Sequence, residues 1–175
     1  QWPGNSNAIV SRPFLAKLDS LGNIKWGMGW QHSIATGAIF VTNLTFDFAG
    51  NIYMTGAFTD YVDFDPTSTS VKGLTSTASG SAFIVKISHS GKVAKASTLG
   101  LVNQIRGIES DVNSLYISEE NKILKLDTAL NVLWTKQIAP AIYEIQTSSN
   151  GYVYSCGIFQ GIEDFDPSPT NSFFL

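Results

Sequence analysis

Residues 50–66, GNIYMTGAFTDYVDFDP, overlay residues 151–167, GYVYSCGIFQGIEDFDP, with no gap, and eight of the seventeen positions are identical. The shared residues are Gly50, Tyr53, Gly56, Phe58 and Asp63 to Pro66 with their partners. An internal repeat confines a chain to folds made from one structural unit used several times.

A second unit recurs between these blocks. Phe14 to Trp26 reads FLAKLDSLGNIKW, Phe83 to Lys95 reads FIVKISHSGKVAK, and Lys122 to Trp134 reads KILKLDTALNVLW. Each runs apolar-x-Lys-apolar, passes through turn residues and resumes an alternating run, which is the pattern of a β-hairpin. Gly22 and Gly91 suit a positive φ in the first two turns. Leu130 stands at that position in the third, so a different turn is expected there. Asn113 to Ser118 (NSLYIS) is a shorter copy of the first unit without Asp-Phe-Asp-Pro, which makes that segment an insert between two constant units.

Together the units give four sequential antiparallel strands per repeat. Strand one covers residues 41–48, 104–111 or 142–148; strand two covers 51–58, 114–118 or 152–159. The apolar-x-Lys run is strand three, and the run carrying Trp26, Lys95 or Trp134 is strand four. In strand two, Ile52, Met54, Gly56 and Phe58 share one face and Tyr53, Thr55 and Ala57 the other, so both faces carry apolar bulk and both are to be covered. Gly56 and Gly157 interrupt the strand at one point, which predicts a bulge or a close backbone approach.

The expected fold is all-β: β-propeller blades of four antiparallel strands. Residues 1–175 read as a single partial propeller, with blade parts at about 1–36, 37–100, 101–139 and 140–175. Ser172 to Leu175 (SFFL) reads as the start of a further strand three, with Phe174-Leu175 matching Phe14-Leu15. About three blade equivalents are too few for a closed ring, so a piece of a longer chain is expected, or else an assembly in which copies complete the ring.

Composition excludes several classes. Hydrophobic residues make up 43% and charged residues 14%, a globular balance. Eleven basic and fourteen acidic residues leave a net charge of -3 with no basic cluster, so no nucleic-acid partner is expected. No apolar run reaches the ~20 residues of a transmembrane helix. Cys156 is the only cysteine, which rules out an internal disulfide.

The blocks GNIYMTG and VDFDP, paired with FLAKLDSLGNIKW, resemble the SBBP family of β-propeller repeats over about residues 14 to 175. The resemblance implies a secreted or cell-surface bacterial protein, often of the Bacteroidota and exported by the type IX system. It carries over no catalytic residues. The middle blade departs from the pattern by lacking the insert.

Asp63 and Asp65, and again Asp164 and Asp166, lie two apart, with Asp60 and Glu163 nearby. On an extended chain such carboxylates point one way, which makes these four candidate Ca²⁺ ligands. The competing reading is a turn capped by Asp, fixed by Pro and anchored by Phe64 or Phe165. His32 and His89 have no second ligand at metal spacing, and Cys156 reads as a small strand residue. Trp26, Trp30 and Trp134 form either a sugar-stacking platform or, since Trp26 and Trp134 share a blade position, a repeated structural contact. Ser20 and Thr128 follow Asp at equivalent hairpin turns and resemble a bacterial O-glycosylation sequon. Asn43-Leu44-Thr45 is a formal N-glycosylation sequon inside an expected strand.

The leading functional expectation is therefore a non-catalytic extracellular binding, adhesion or scaffold module. Its partner would be a protein or glycan at the cell surface, within an outer-membrane complex in one version. The alternative is a polysaccharide-acting enzyme, or an enzyme-associated domain, that uses the acidic inserts.

Overall fold

The structure is a computed structural model that describes residues 12–30, 38–66, 69–100, 105–138 and 141–175. All regular structure in these residues is β. His32 lies outside them. A first sheet pairs β1 (Phe14–Leu18) with β2 (Ile24–Gly29). The second sheet takes β3 (Ile39–Phe46), β4 (Ile52–Phe58), β7 (Ser81–Ile87) and β8 (Val93–Thr98) in that order. The third repeats the arrangement with β9 (Ile105–Ser110), β10 (Ser114–Glu119), β11 (Lys122–Asp127) and β12 (Val132–Gln137). A fourth pairs β13 (Ala141–Thr147) with β14 (Val153–Ile158). Between β4 and β7 the insert forms a short ribbon, β5 (Tyr61–Asp63) with β6 (Gly73–Thr75).

The sheets stack face against face, and three cores fill the gaps. Leu15, Met28 and Trp30 of the first sheet and its exit meet Ile52, Met54, Phe58 and Phe83 of the second. Tyr53 and Ile84, on the opposite face of that second sheet, meet Ile108, Leu115 and Leu124 of the third. Tyr116 and Ile123 then meet Ile142 and Ile145 of the fourth. One strand thus feeds two cores, as the alternation in β4 requires. Neighbouring sheets approach most closely at their first strands β3, β9 and β13, so the stack is a wedge with strand one on the narrow side.

Three first strands bulge at the same place. Pairing skips Thr42 between Val41 and Asn43, Arg106 between Ile105 and Gly107, and Tyr143 between Ile142 and Glu144. Opposite two of the bulges sit the glycines flagged by the repeat. A Cβ on Gly56 would lie 1.8 Å from the Phe40 carbonyl oxygen, and one on Gly157 would lie 1.8 Å from that of Ala141. The bulged strand presses its backbone onto strand two, and only glycine leaves room.

Two sequence expectations are corrected here. The third hairpin turn does not differ: Leu130 takes φ 66°, like Gly22 at 84° and Gly91 at 85°, and the same backbone bonds close all three turns. Leu130 is 4% exposed in the core shared with the second sheet, and that burial, worth about 1.5–3 kcal/mol, offsets the left-handed strain of about 1–2 kcal/mol. Nor does SFFL start a strand three. Phe174 bridges to Asp164, and Leu175 exchanges backbone bonds with Glu163, as Gly73 and Leu74 do with Asp63 and Val62. The segment is the return arm of the second insert.

Gly56→Ala is expected to destabilise the protein by about 3 kcal/mol in denaturant unfolding, because rigid backbone stands in the way. Leu130→Gly relieves strain but forfeits burial, and a net loss of about 1 kcal/mol is expected in the same measurement.

Candidate functional site

Strand alternation divides the connections between two ends of the stack. The turns joining strands one to two and three to four lie at one end. The inserts and the links between sheets lie at the other.

At the turn end, an aspartate, a tyrosine and a lysine recur. Asp47 accepts the Tyr53 hydroxyl at 3.0 Å and the Asn51 amide N–H at 2.8 Å. Lys86 lies 5.4 Å over the Tyr53 ring and donates to the Thr128 carbonyl, 2.8 Å away on the next sheet's turn. Asp111 likewise accepts the Tyr116 hydroxyl at 3.0 Å, and Lys125 lies 5.1 Å over that ring. Lys17 donates to the His89 carbonyl at 3.1 Å, the counterpart of Thr128. Burial pushes the Asp47 and Asp111 carboxyls up, but hydrogen bonds and the facing lysine outweigh it, and both sit below the ordinary 3.8. Burial and the bond to Asp47 push the Tyr53 hydroxyl up strongly. This constellation is structural: it fastens each hairpin to the next.

At the insert end, the repeated motif has one geometry. Asp63 Oδ1 accepts the N–H of Asp65 at 3.0 Å and of Lys72 at 2.9 Å. Asp164 Oδ1 accepts the N–H of Asp166 at 3.0 Å and of Phe173 at 2.8 Å. Those bonds hold the Asp164 carboxyl below its ordinary value, with the Phe173 amide as the largest contributor. Each aspartate therefore clasps both arms of its loop. Asp166 accepts the Ser168 N–H at 2.7 Å, and Asp65 is buried. Among the described residues no group of three or more His, Cys, Asp or Glu is placed to hold a metal ion.

The anchoring aromatics behave as the motif suggests. Phe64 is fully buried, with ring centroids 5.5 Å from Phe58 and 4.6 Å from Phe83, and its carbonyl accepts the Trp30 indole N–H at 2.9 Å. Phe165 meets Phe159 edge-on at 5.3 Å. The tryptophans form no common platform. Trp30 is 1% exposed, Trp26 covers the Gly91 turn, and Trp134 leans on Tyr116 at 6.1 Å. Ser20 is exposed at its turn and Thr128 is half-buried. Asn43 lies within β3 and donates to the Arg106 carbonyl at 3.2 Å.

Two features escaped sequence reasoning. A pocket of about 380 Å³ beside the first insert is lined by Thr59, Asp60, Tyr61, Thr75 and Ser76. The hydroxyl end of the Tyr61 ring packs against Gly73, where a Cβ would come within 2.2 Å of its hydroxyl oxygen. The second insert has Ile162 and Phe174 at those positions, so this pocket belongs to one blade. On the narrow side, Arg106 lies 6.0 Å over the Tyr143 ring, and Glu109 accepts the Gln146 amide at 3.0 Å. Burial and, to a smaller extent, the Glu144 charge push the Glu109 carboxyl up. This acidic pair follows no repeat symmetry; the bulges that align the first strands were the missing signal.

Residues 29–57 match the SBBP family, a beta-propeller repeat, and so span the link from the first sheet into β3 and β4. No curated protein matches the chain.

Asp63→Ala is expected to lower the melting midpoint, because two loop amides lose their acceptor at about 1 kcal/mol each. Asp63→Asn keeps the acceptor and is expected to restore most of the loss, with calcium or chelator leaving the midpoint unmoved in a scanning melt. The depressed carboxyls Asp47 and Asp111 contribute stability above the ordinary value of 3.8, and it is lost as pH falls through their lower folded values. A pH series of urea midpoints is expected to drop on that acid limb and to flatten in Asp47→Asn.

Proposed function

We propose that this SBBP-repeat β-propeller is a non-catalytic binding module that meets a protein or glycan partner at the cell surface through its insert-bearing end. The carrying observation is the use made of the motif carboxylates. In both copies the first aspartate spends one oxygen on two backbone amides, so the insert is a braced loop that presents other side chains. Tyr61, Val71, Ile162 and Phe174 are exposed there. A glycan fits the Tyr61 pocket, which combines an aromatic ring with threonine and serine hydroxyls and the Asp60 carboxylate. Secretion, a bacterial source and membership of an outer-membrane complex belong to this same reading. No helix of the described residues is long and apolar enough to cross a membrane.

The second reading, a polysaccharide-acting enzyme, draws on Glu109 and Glu144, a non-repeated acidic pair with one carboxyl held toward its protonated form.

An array of immobilised polysaccharides and glycans separates the two. Retention of the intact protein is expected, about tenfold weaker in Tyr61→Ala with an unchanged melting midpoint. Release of reducing sugar ends, abolished in Glu109→Gln, would instead establish the enzyme.

A further inference from the structure

Asp60 is used unlike the turn aspartates around it. Asp19, Asp47, Asp63, Asp111, Asp127 and Asp164 each turn a carboxylate oxygen onto a backbone amide of their own loop. Asp60 sits between β4 and β5, and among the described residues its carboxylate takes no hydrogen bond or ion pair. Its backbone carbonyl holds the turn instead, accepting the Ser76 N–H at 2.9 Å.

That turn needs a left-handed residue. Asp60 has φ 61°, and Gly161, its counterpart in the second insert, has φ 77°. Glycine reaches this region without strain, whereas a residue with a Cβ does not. The first insert therefore keeps an exposed carboxylate on a strained backbone, and the second insert makes the same turn without one.

The carboxylate borders the pocket of about 380 Å³ shared with Tyr61, Thr75, Ser76 and Thr77. Two hydroxyls there already donate elsewhere. Ser76 Oγ donates to the Thr77 carbonyl at 3.0 Å, and Thr77 Oγ1 donates to the Gly80 carbonyl. Their amides are taken as well: Ser76 N–H by Asp60, and Thr77 N–H by Ser81 Oγ at 3.1 Å. What Ser76 and Thr77 turn to a ligand is thus lone pairs. The lining residues include no lysine, arginine or histidine. Tyr61, 41% exposed, adds the electron-rich face of an aromatic ring.

Acceptors of this kind select for donors. A carboxylate or sulfate on a sugar only accepts, and it meets Asp60 as a like charge. A sugar hydroxyl donates and accepts in equal measure. An ammonium has three donors and no acceptor, and its charge suits both a carboxylate and a ring face.

We propose, resting on the glycan reading above, that the Tyr61 pocket is specific for an amino sugar whose amine is unsubstituted. The ammonium donates to Asp60 and to the Ser76 and Thr77 oxygens, and the Tyr61 ring packs on the apolar face of the sugar. Asp60 sets this specificity. The second insert, with Gly161 and Ile162 at these positions, takes no such ligand.

Glucosamine oligomers and their fully N-acetylated forms, immobilised on one support, test this with the intact protein. Retention on the unsubstituted amine is expected to be about tenfold stronger. Asp60→Gly is expected to abolish that difference and to leave the melting midpoint unchanged or higher. Glu163→Gln, the same change of charge on the other insert, is expected to preserve it. Equal retention of the two sugars, a preference that survives Asp60→Gly or is lost equally in Glu163→Gln, or a lowered midpoint in Asp60→Gly would each overturn the proposal. Equally strong, Asp60-dependent retention on polylysine would overturn it in favour of a lysine-bearing protein partner. If neutral glycans are still retained through Tyr61, the glycan reading stands and this specificity falls; if no glycan is retained, both fall.

Discussion

A sheet buried on both faces cannot stand alone, and that requirement governs the whole molecule. β10 is buried along its entire length and β4 at every residue except the half-buried Ala57, so each needs a neighbour on either side. The outer strands escape the requirement: β12 is exposed throughout. Burial is thus graded from the two inner strands of each whole sheet to its rim. Within these buried strands the hydroxyls of Thr55 in β4 and Ser118 in β10 are enclosed without a partner.

The narrow side of the wedge is set by the bulges. By pushing Thr42, Arg106 and Tyr143 out of the ladder, each first strand twists away from its partner and brings its neighbours' first strands together. Hydrogen bonds such as Asn43 to the Arg106 carbonyl then bridge adjacent sheets. At the far end the lysine-to-turn bonds do the same for the outer hairpins. The sheets are held at both radii, which fixes their relative tilt.

Much of this was legible before the structure. The hairpins containing Lys17, Lys86 and Lys125 announce themselves by alternation and turn residues, and the strands fall within two or three residues of expectation. Gly56 and Gly157 correctly marked a close approach, because a glycine in a buried strand has few other uses. The insert ribbon was not legible. Its strands are three residues long, and their pairing comes from a side chain, Asp63, bonding backbone nine residues away. The Leu130 turn misled for a related reason: local preference pointed away from a positive φ, and a core contact from another sheet overrode it. Glu109 and Glu144 lie on strands whose copies align only after the bulges are known.

The clasp at each insert also has an evolutionary side. Asp63 ties the amide two residues on to the amide nine residues on, so the stem is sealed before the chain reaches its tip. What lies between can lengthen, shorten or change composition without transmitting stress to β4 and β7. Selection can therefore rewrite the tip while the framework drifts independently, and a protein engineer can graft foreign peptides at the same spot.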